Sequence, residues 1–204
     1  MSALEIADII GIICFALSGF LISVHYNLDI LGVFISSFLT ALGGGMIRDV
    51  LADRTPYVFT DTLPVMLVVA TVLIALLFKL HKIADLEGKT AFIISDAVGL
   101  VSFAITGSLI AIQNEYNFLG VLILAFLTAV GGGTIRDILI NRVPSILVSE
   151  FYATVALIIG LIVYVLHLLE LKSLFSLLIV FVFGVALRLL AYYRNWHLPT
   201  LSKE

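Results

Sequence analysis

Seven stretches of this chain stay apolar for about twenty residues each: 6–24, 30–51, 63–80, 91–112, 118–140, 150–168 and 173–191. A helix needs about 20 mostly apolar residues to cross the hydrocarbon of a bilayer. The runs are continuously apolar rather than alternating, which argues for helices and against a membrane barrel. The segments between them are short, the longest being "ADRTPYVFTDT", so the sequence leaves no room for an extramembrane domain. Of the 204 residues, 62% are hydrophobic and 12% charged. Soluble domains carry about 45–50% and about 25%, and one soluble core of this size cannot hide the excess. The reading is an all-α polytopic membrane protein.

Further bounds follow. A net charge of −3 without any long basic run gives no electrostatic footprint for nucleic acid. The lone cysteine, Cys14, permits no intrachain disulfide and reads as a packing residue. The first residues, "MSALEIAD", hold Glu5 and Asp8 and no Lys or Arg. A cleavable signal wants a positive start, so 6–24 is read as a retained first span. With the N-terminus outside, the inner loops and tail hold six cations: Lys79, Lys82, Lys89, Arg142, Arg194 and Lys203. The outer loops hold two, Arg54 and Lys172. The excess of positive charge belongs inside, so the orientation is N-out, C-in, with Tyr192, Tyr193 and Trp196 as an inner aromatic anchor.

The chain repeats itself. Laid over one another at an offset of 88, residues 8–56 and 96–144 agree at 24 of 49 positions. The matches include Asp8 with Asp96, Phe15 with Phe103, Arg54 with Arg142 and Pro56 with Pro144. General apolarity does not produce agreement at charged, glycine and proline positions. Residues 1–88 read as one three-helix unit, 89–171 as a second and 172–204 as a seventh helix with a short tail. Because each unit crosses an odd number of times, the second must start from the opposite face. Inverted repeats of this kind recur in transporters, with sites near the midplane where interrupted helices meet.

The sharpest part of the repeat is "TALGGGMIRDVL" at 40–51 and "TAVGGGTIRDIL" at 128–139. Each glycine weakens a helix by about 1 kcal/mol relative to Ala. Gly43, Gly44 and Gly45, and Gly131, Gly132 and Gly133, are therefore expected to kink or unwind the second and fifth spans. The freed carbonyls, joined by the hydroxyls of Thr40 and Thr128, would line a cation pathway. Small residues also let helices pack closely, which is the competing explanation. A phosphate-cradling loop is excluded, because the glycine spacing and flanking strand of a dinucleotide site are missing.

Arg48 and Arg136 follow one turn later. An unpaired arginine at the bilayer centre costs about 2.5–3.5 kcal/mol on insertion scales, so partners are required. Adjacent residues point about 100° apart on a helix, so Asp49 and Asp137 alone are insufficient. Asp8, Asp96 or the aspartate of the opposite repeat are the candidates for structural or gating ion pairs. In "DIIGIICFALSG" and "DAVGLVSFAITG" the Asp, Gly, Phe and Gly recur in three- and four-residue steps, on one helix face. Ser18 and Thr106 on those helices either reach a pore or bond back to their own helix. His25, His81, His167 and His197 all fall near span ends, with no metal-ligand spacing. No Ser/His/Asp cluster, HExxH or Walker motif is present, so an enzyme has no residues to rest on.

Seven spans in two inverted units, with GGGxxRD in the second helix of each, resemble the trimeric intracellular cation (TRIC) channel family. Its prokaryotic members are also labelled uncharacterised membrane proteins or glycine transporters. The resemblance covers almost the whole chain. It implies a homotrimer in the inner membrane among lipids, needing no cofactor, with a potassium-permeable pore in each protomer lined partly by the second and fifth helices. Potassium is the expected permeating ion, sodium a lesser one. The family motif falls on Gly43–Gly45, Arg48 and Asp49, and on Gly131–Gly133, Arg136 and Asp137. The Lys-bearing motif that ties animal members to gating and lipid has no counterpart here. The rival reading is a secondary transporter of a small solute such as glycine, whose carboxylate would sit at a half-helix starting at Met46 or Thr134. A membrane scaffold explains the apolarity but not two arginine-bearing glycine motifs.

Overall fold

A computed structural model describes residues 2–82, 85–148 and 151–196. Among these the chain is all helical. The helices are α1 (Ala3–His25), α2 (Ile30–Leu51), α3 (Leu63–Leu77), α4 (Asp85–Gln113), α5 (Phe118–Leu139), α6 (Ser145–Val148), α7 (Tyr152–Leu168) and α8 (Leu174–Tyr193). Short 3-10 turns lie at Tyr57–Phe59 and Leu80–Lys82.

Local chemistry fixes the ends. Ser2 and Glu5 form a reciprocal capping box at the start of α1. Asp29 and Asn117, 88 residues apart, each accept from the amide of the glycine three positions on, at 2.7 and 2.9 Å. The C-terminal ends turn on left-handed residues that are never glycine: Asn27, Asp53, Lys79, Glu115, Asn141, Glu170 and Asn195. The next amide then bonds back across the turn, as Arg54 N does to the Asp49 carbonyl at 2.8 Å and Arg142 N to that of Asp137 at 2.8 Å. No described glycine has positive φ. The glycines are used inside helices, where backbones approach one another.

Five helices are long and apolar enough to cross a bilayer: α1, α2, α4, α5 and α8. The expected spans at 63–80 and 150–168 are realised as shorter apolar helices, α3 and α7. Pro64 stands at the N-terminal end of α3, and α6 takes up Ser145–Val148 ahead of α7. The start of the sixth expected span at Glu150, and His197 and Lys203 in the tail, lie outside the described residues.

α1, α2, α4 and α5 form the centre, with α3 against α1 and α2, α7 against α4 and α5, and α8 against α4 and α7. α1 and α4 run antiparallel. Gly11 meets Phe103 while Phe15 meets Gly99, and the two rings pack edge to face with centroids 5.2 Å apart. α2 and α5 also run antiparallel, Gly44 against the Thr128 carbonyl and Gly132 against that of Thr40. α8 buries Leu177, Val180, Gly184, Arg188 and Ala191 along one stripe. Large apolar side chains face outward on every flank, Ile30 at 76% exposure, Leu77 at 78% and Phe175 at 71%, while Arg48, Arg136 and Thr40 are buried. An apolar exterior around charged and hydroxyl-bearing residues suits hydrocarbon as the surrounding solvent.

Candidate functional site

The buried charges form two clusters built to one plan. In the first, Arg48 of α2 donates through Nη1 to Asp8 Oδ1 of α1 at 2.7 Å and through Nε to Asp49 Oδ1 at 3.0 Å. The same Nη1 donates to Thr106 Oγ1 of α4 at 3.2 Å. In the second, Arg136 of α5 donates through Nη1 to Asp96 Oδ1 of α4 and to Ser18 Oγ of α1, both at 2.6 Å. Its Nε and Nη2 each lie 3.0 Å from Asp137 Oδ1. Every residue of one cluster stands 88 positions from its counterpart in the other.

Each arginine therefore joins both halves of the molecule. Its carboxylates come from its own half; the opposite half contributes a hydroxyl and no carboxylate. The neighbour in sequence does serve as a partner, with the rest of the compensation from the first or fourth helix. Asp49 and Asp137 have a second task. Their Oδ2 atoms accept from the amides of Tyr57 (3.0 Å) and Ser145 (2.7 Å), again equivalent positions, and hold the following loop against the helix end. A buried pair is tolerated when the remaining lone pairs are satisfied in this way. Both arginines are nearly inaccessible, Arg136 fully so.

The clusters lie ten residues apart on α1, from Asp8 to Ser18, which is about 15 Å along the axis. Between them sit the Phe15–Phe103 pair and the glycine crossing of α2 and α5. The middle of the polar core is thus tightly closed.

Of the two forms of break expected from sequence, kinking or unwinding, the glycine triplets do not show unwinding. Gly43–Gly45 and Gly131–Gly133 lie inside uninterrupted α-helix. A Cβ on Gly44 would overlap the Thr128 carbonyl oxygen and one on Gly132 the Thr40 carbonyl oxygen. Close approach of two backbones is what the glycines provide for here. The hydroxyls of Thr40 and Thr128 bond back to the carbonyls of Ser36 and Leu124, both at 2.6 Å, rather than standing free.

Sequence reasoning missed the aromatic caps. Tyr57 lies under the Arg48 guanidinium, 5.3 Å from ring centroid to Cζ, and its hydroxyl packs on Gly45. The Tyr152 hydroxyl packs on Gly133, and Arg188 of α8 stacks on the Tyr152 ring at 4.9 Å. Phe92 covers Arg136 at 4.9 Å. The two tyrosines come from positions the repeat does not relate, so no offset could have revealed them. Burial first, and then the Asp8 carboxylate, holds the Tyr57 phenol well above its usual range, so it remains a proton donor. Neither tyrosine hydroxyl has a hydrogen-bond partner among the described residues.

This geometry defines an integral membrane protein of helical repeats with charged clusters sealed at its core. A family model described as glycine transporter matches residues 5–81 and 93–168, two stretches that begin 88 residues apart. The UPF0126 membrane protein YvgT of Bacillus subtilis is 38% identical over 98% of this chain and 97% of its own length. The UPF0126 inner membrane protein YadS of Escherichia coli K12 is 39% identical over 76% of this chain and 74% of its own. A prokaryotic TRIC channel crystallised in 0.5 M KCl superposes with a TM-score of 0.87 at 35% identity, covering 96% of this chain and 98% of that one. The TRIC trimeric intracellular cation channel orthologue from Rhodobacter sphaeroides gives 0.87 at 26% identity, over 96% and 100%. The chain belongs to this glycine transporter and UPF0126 family, and the TRIC resemblance carried by the doubled GGGxxRD motif holds across the whole fold.

Proposed function

We propose that the chain is a monovalent cation channel, conducting mainly potassium, that assembles as a homotrimer in the prokaryotic plasma membrane with one pore in each protomer. The observation that carries this is the pair of equivalent arginine clusters, set about 15 Å apart between antiparallel, repeat-related helices. That spacing is about half of a ~30 Å hydrocarbon core. It suits a seven-span protein of two inverted units, N-terminus outside and C-terminus in the cytoplasm, with one cluster toward each face.

The path runs between α1, α2, α4 and α5. The α2–α5 crossing is its closed point, because backbone meets backbone there, with Ile135 seated on Gly43 and Ile47 on Gly131. Parting these helices would expose Thr40, Gly43–Gly45, Thr128 and Gly131–Gly133 to the path, while Arg48–Asp8–Asp49 and Arg136–Asp96–Asp137 keep the flanking helices in place. Similarity to TRIC cation channels over nearly the full chain supports conduction. The second reading, a secondary transporter of glycine, is favoured by the description of the family model. Paired inverted units serve either mechanism.

Purified protein in planar bilayers under a potassium gradient, with and without glycine, separates the two. Unitary currents reversing near the potassium potential are expected. Silent bilayers together with saturable glycine uptake into liposomes would overturn the channel reading.

A further inference from the structure

The turn between α1 and α2 and the face of α3 enclose a cavity of about 350 Å³, walled by Phe20, Val24, Leu28, Val33, Val72 and Leu76. That volume is at the lower end of the ~300–1,000 Å³ of small-ligand sites. The repeat supplies an internal control. In the second half, Tyr116 and Phe118 stand 88 residues after Leu28 and Ile30. Phe118 packs on Tyr164 of α7 with centroids 5.2 Å apart, and Tyr116 and Tyr164 lie against a buried cluster that includes Ile110, Val121 and Leu124. Gly160 lets α7 close on α5, since a Cβ there would be 3.0 Å from that of Ala125. α3 has neither glycine nor aromatic residue between Leu63 and Leu77. The second half fills from within what the first half leaves open.

We propose that this groove seats an acyl chain of a membrane phospholipid, its phosphate toward Lys79 and Lys82. Two observations select that occupant. The groove opens on a flank of exposed apolar side chains, Ile30, Leu73, Leu77 and Phe78, which in a membrane-spanning chain face hydrocarbon. The charge at its end is also of the right sign. Lys79 and Glu170 are the left-handed residues that close α3 and α7, 91 residues apart, with φ of 56° and 59°. Asn27 and Glu115 are the equivalent residues that close α1 and α4. The open end thus carries a lysine and an asparagine where the filled end carries two glutamates. Lys82 is exposed at the open end as well. Asp29, the carboxylate beside the groove, is engaged with the Gly32 amide as a helix cap. The site does not depend on whether the protein conducts.

Native mass spectrometry of the detergent-purified protein, incubated with phosphatidylglycerol and then stringently washed, tests this. The parent is expected to retain one phosphatidylglycerol per protomer. Leu28→Tyr/Ile30→Phe/Leu76→Tyr, which fills the groove with residues like those of the second half, should retain about tenfold less with its oligomeric state unchanged. Lys79→Glu/Lys82→Glu, on exposed side chains, should lose a similar factor. Undiminished retention in either variant overturns the proposal. So does a filled variant that changes oligomeric state, since the groove would then receive a second copy. If the filled variant fails to fold, the lysine variant alone decides.

Discussion

Alanine at Gly44 and Gly132 separates the two explanations of the glycine triplets. If the glycines interrupted the helices, Ala would repair them and raise stability by about 1 kcal/mol per site. The structure requires the opposite. The new methyl at Gly132 falls on the Thr40 carbonyl oxygen and that at Gly44 on the Thr128 carbonyl oxygen. Both obstacles are backbone, so no rotamer change relieves them, and α2 and α5 must move apart. Overpacking of this kind costs about 1–3 kcal/mol per site, against the propensity gain of about 1. The double variant should therefore lose up to about 4 kcal/mol, with a centre near 2. Thermal unfolding of the detergent-purified protein should show Tm lower by roughly 5 °C. Gly32→Ala is the control, because its Cβ would meet only side chains, at 3.2 Å. It should leave Tm unchanged or raise it. A double variant more stable than the parent would refute the close-packing account.

The arginine clusters should respond in order of burial. Arg136→Leu strands Asp96 and Asp137 and should cost about 3–5 kcal/mol. Arg48→Leu should cost less, because the Asp8 side chain is 13% exposed against 7% for Asp96. Adding Asp96→Asn to Arg136→Leu should recover part of the loss; coupling below about 0.5 kcal/mol in that double-mutant cycle would mark the two as independent. Tyr57→Phe and Tyr152→Phe remove hydroxyls that bond to nothing among the described residues. Their chemical-denaturation midpoints should stay close to the parent's, whereas a loss of about 1 kcal/mol would reveal a hydrogen bond. Single cysteines at Ser2 and Lys89 in a Cys14→Ser background should be labelled by impermeant maleimide from opposite sides of the membrane; labelling from one side would remove the inverted topology.

How far the sequence reached can be judged element by element. The sequence reached the members of the clusters, Asp8, Asp96, Arg48 and Arg136, because a charge in an apolar run must find a partner and few were available. It left open which aspartate meets which arginine, and the structure pairs each within its own half. Nor could the sequence decide the role of the glycines. Propensity speaks for a break and close packing speaks for continuity, and the difference lies in how near a second helix comes. Only the contacts of Gly44 and Gly132 settle that. The two tyrosine caps were illegible for another reason: Tyr57 and Tyr152 reach equivalent places from unrelated positions, through a 3-10 turn in one half and the first turn of α7 in the other.

The two halves agree only in part. Part of what agrees across them sits at the centre: Asp8 with Asp96, Arg48 with Arg136, Phe15 with Phe103, and the glycine triplets. Differences occur at the centre, where buried Ser36 and Phe20 correspond to Leu124 and Ser108 across the repeat, and at the periphery, where Tyr116 replaces Leu28, Phe118 replaces Ile30, and Arg188 reaches Tyr152 from a helix that has no counterpart in the repeat. On the flanks, one half closes with aromatic rings while the other leaves a groove. The asymmetry of α3 and α7 is thus a difference between the two halves, whereas the two arginine clusters are common to both.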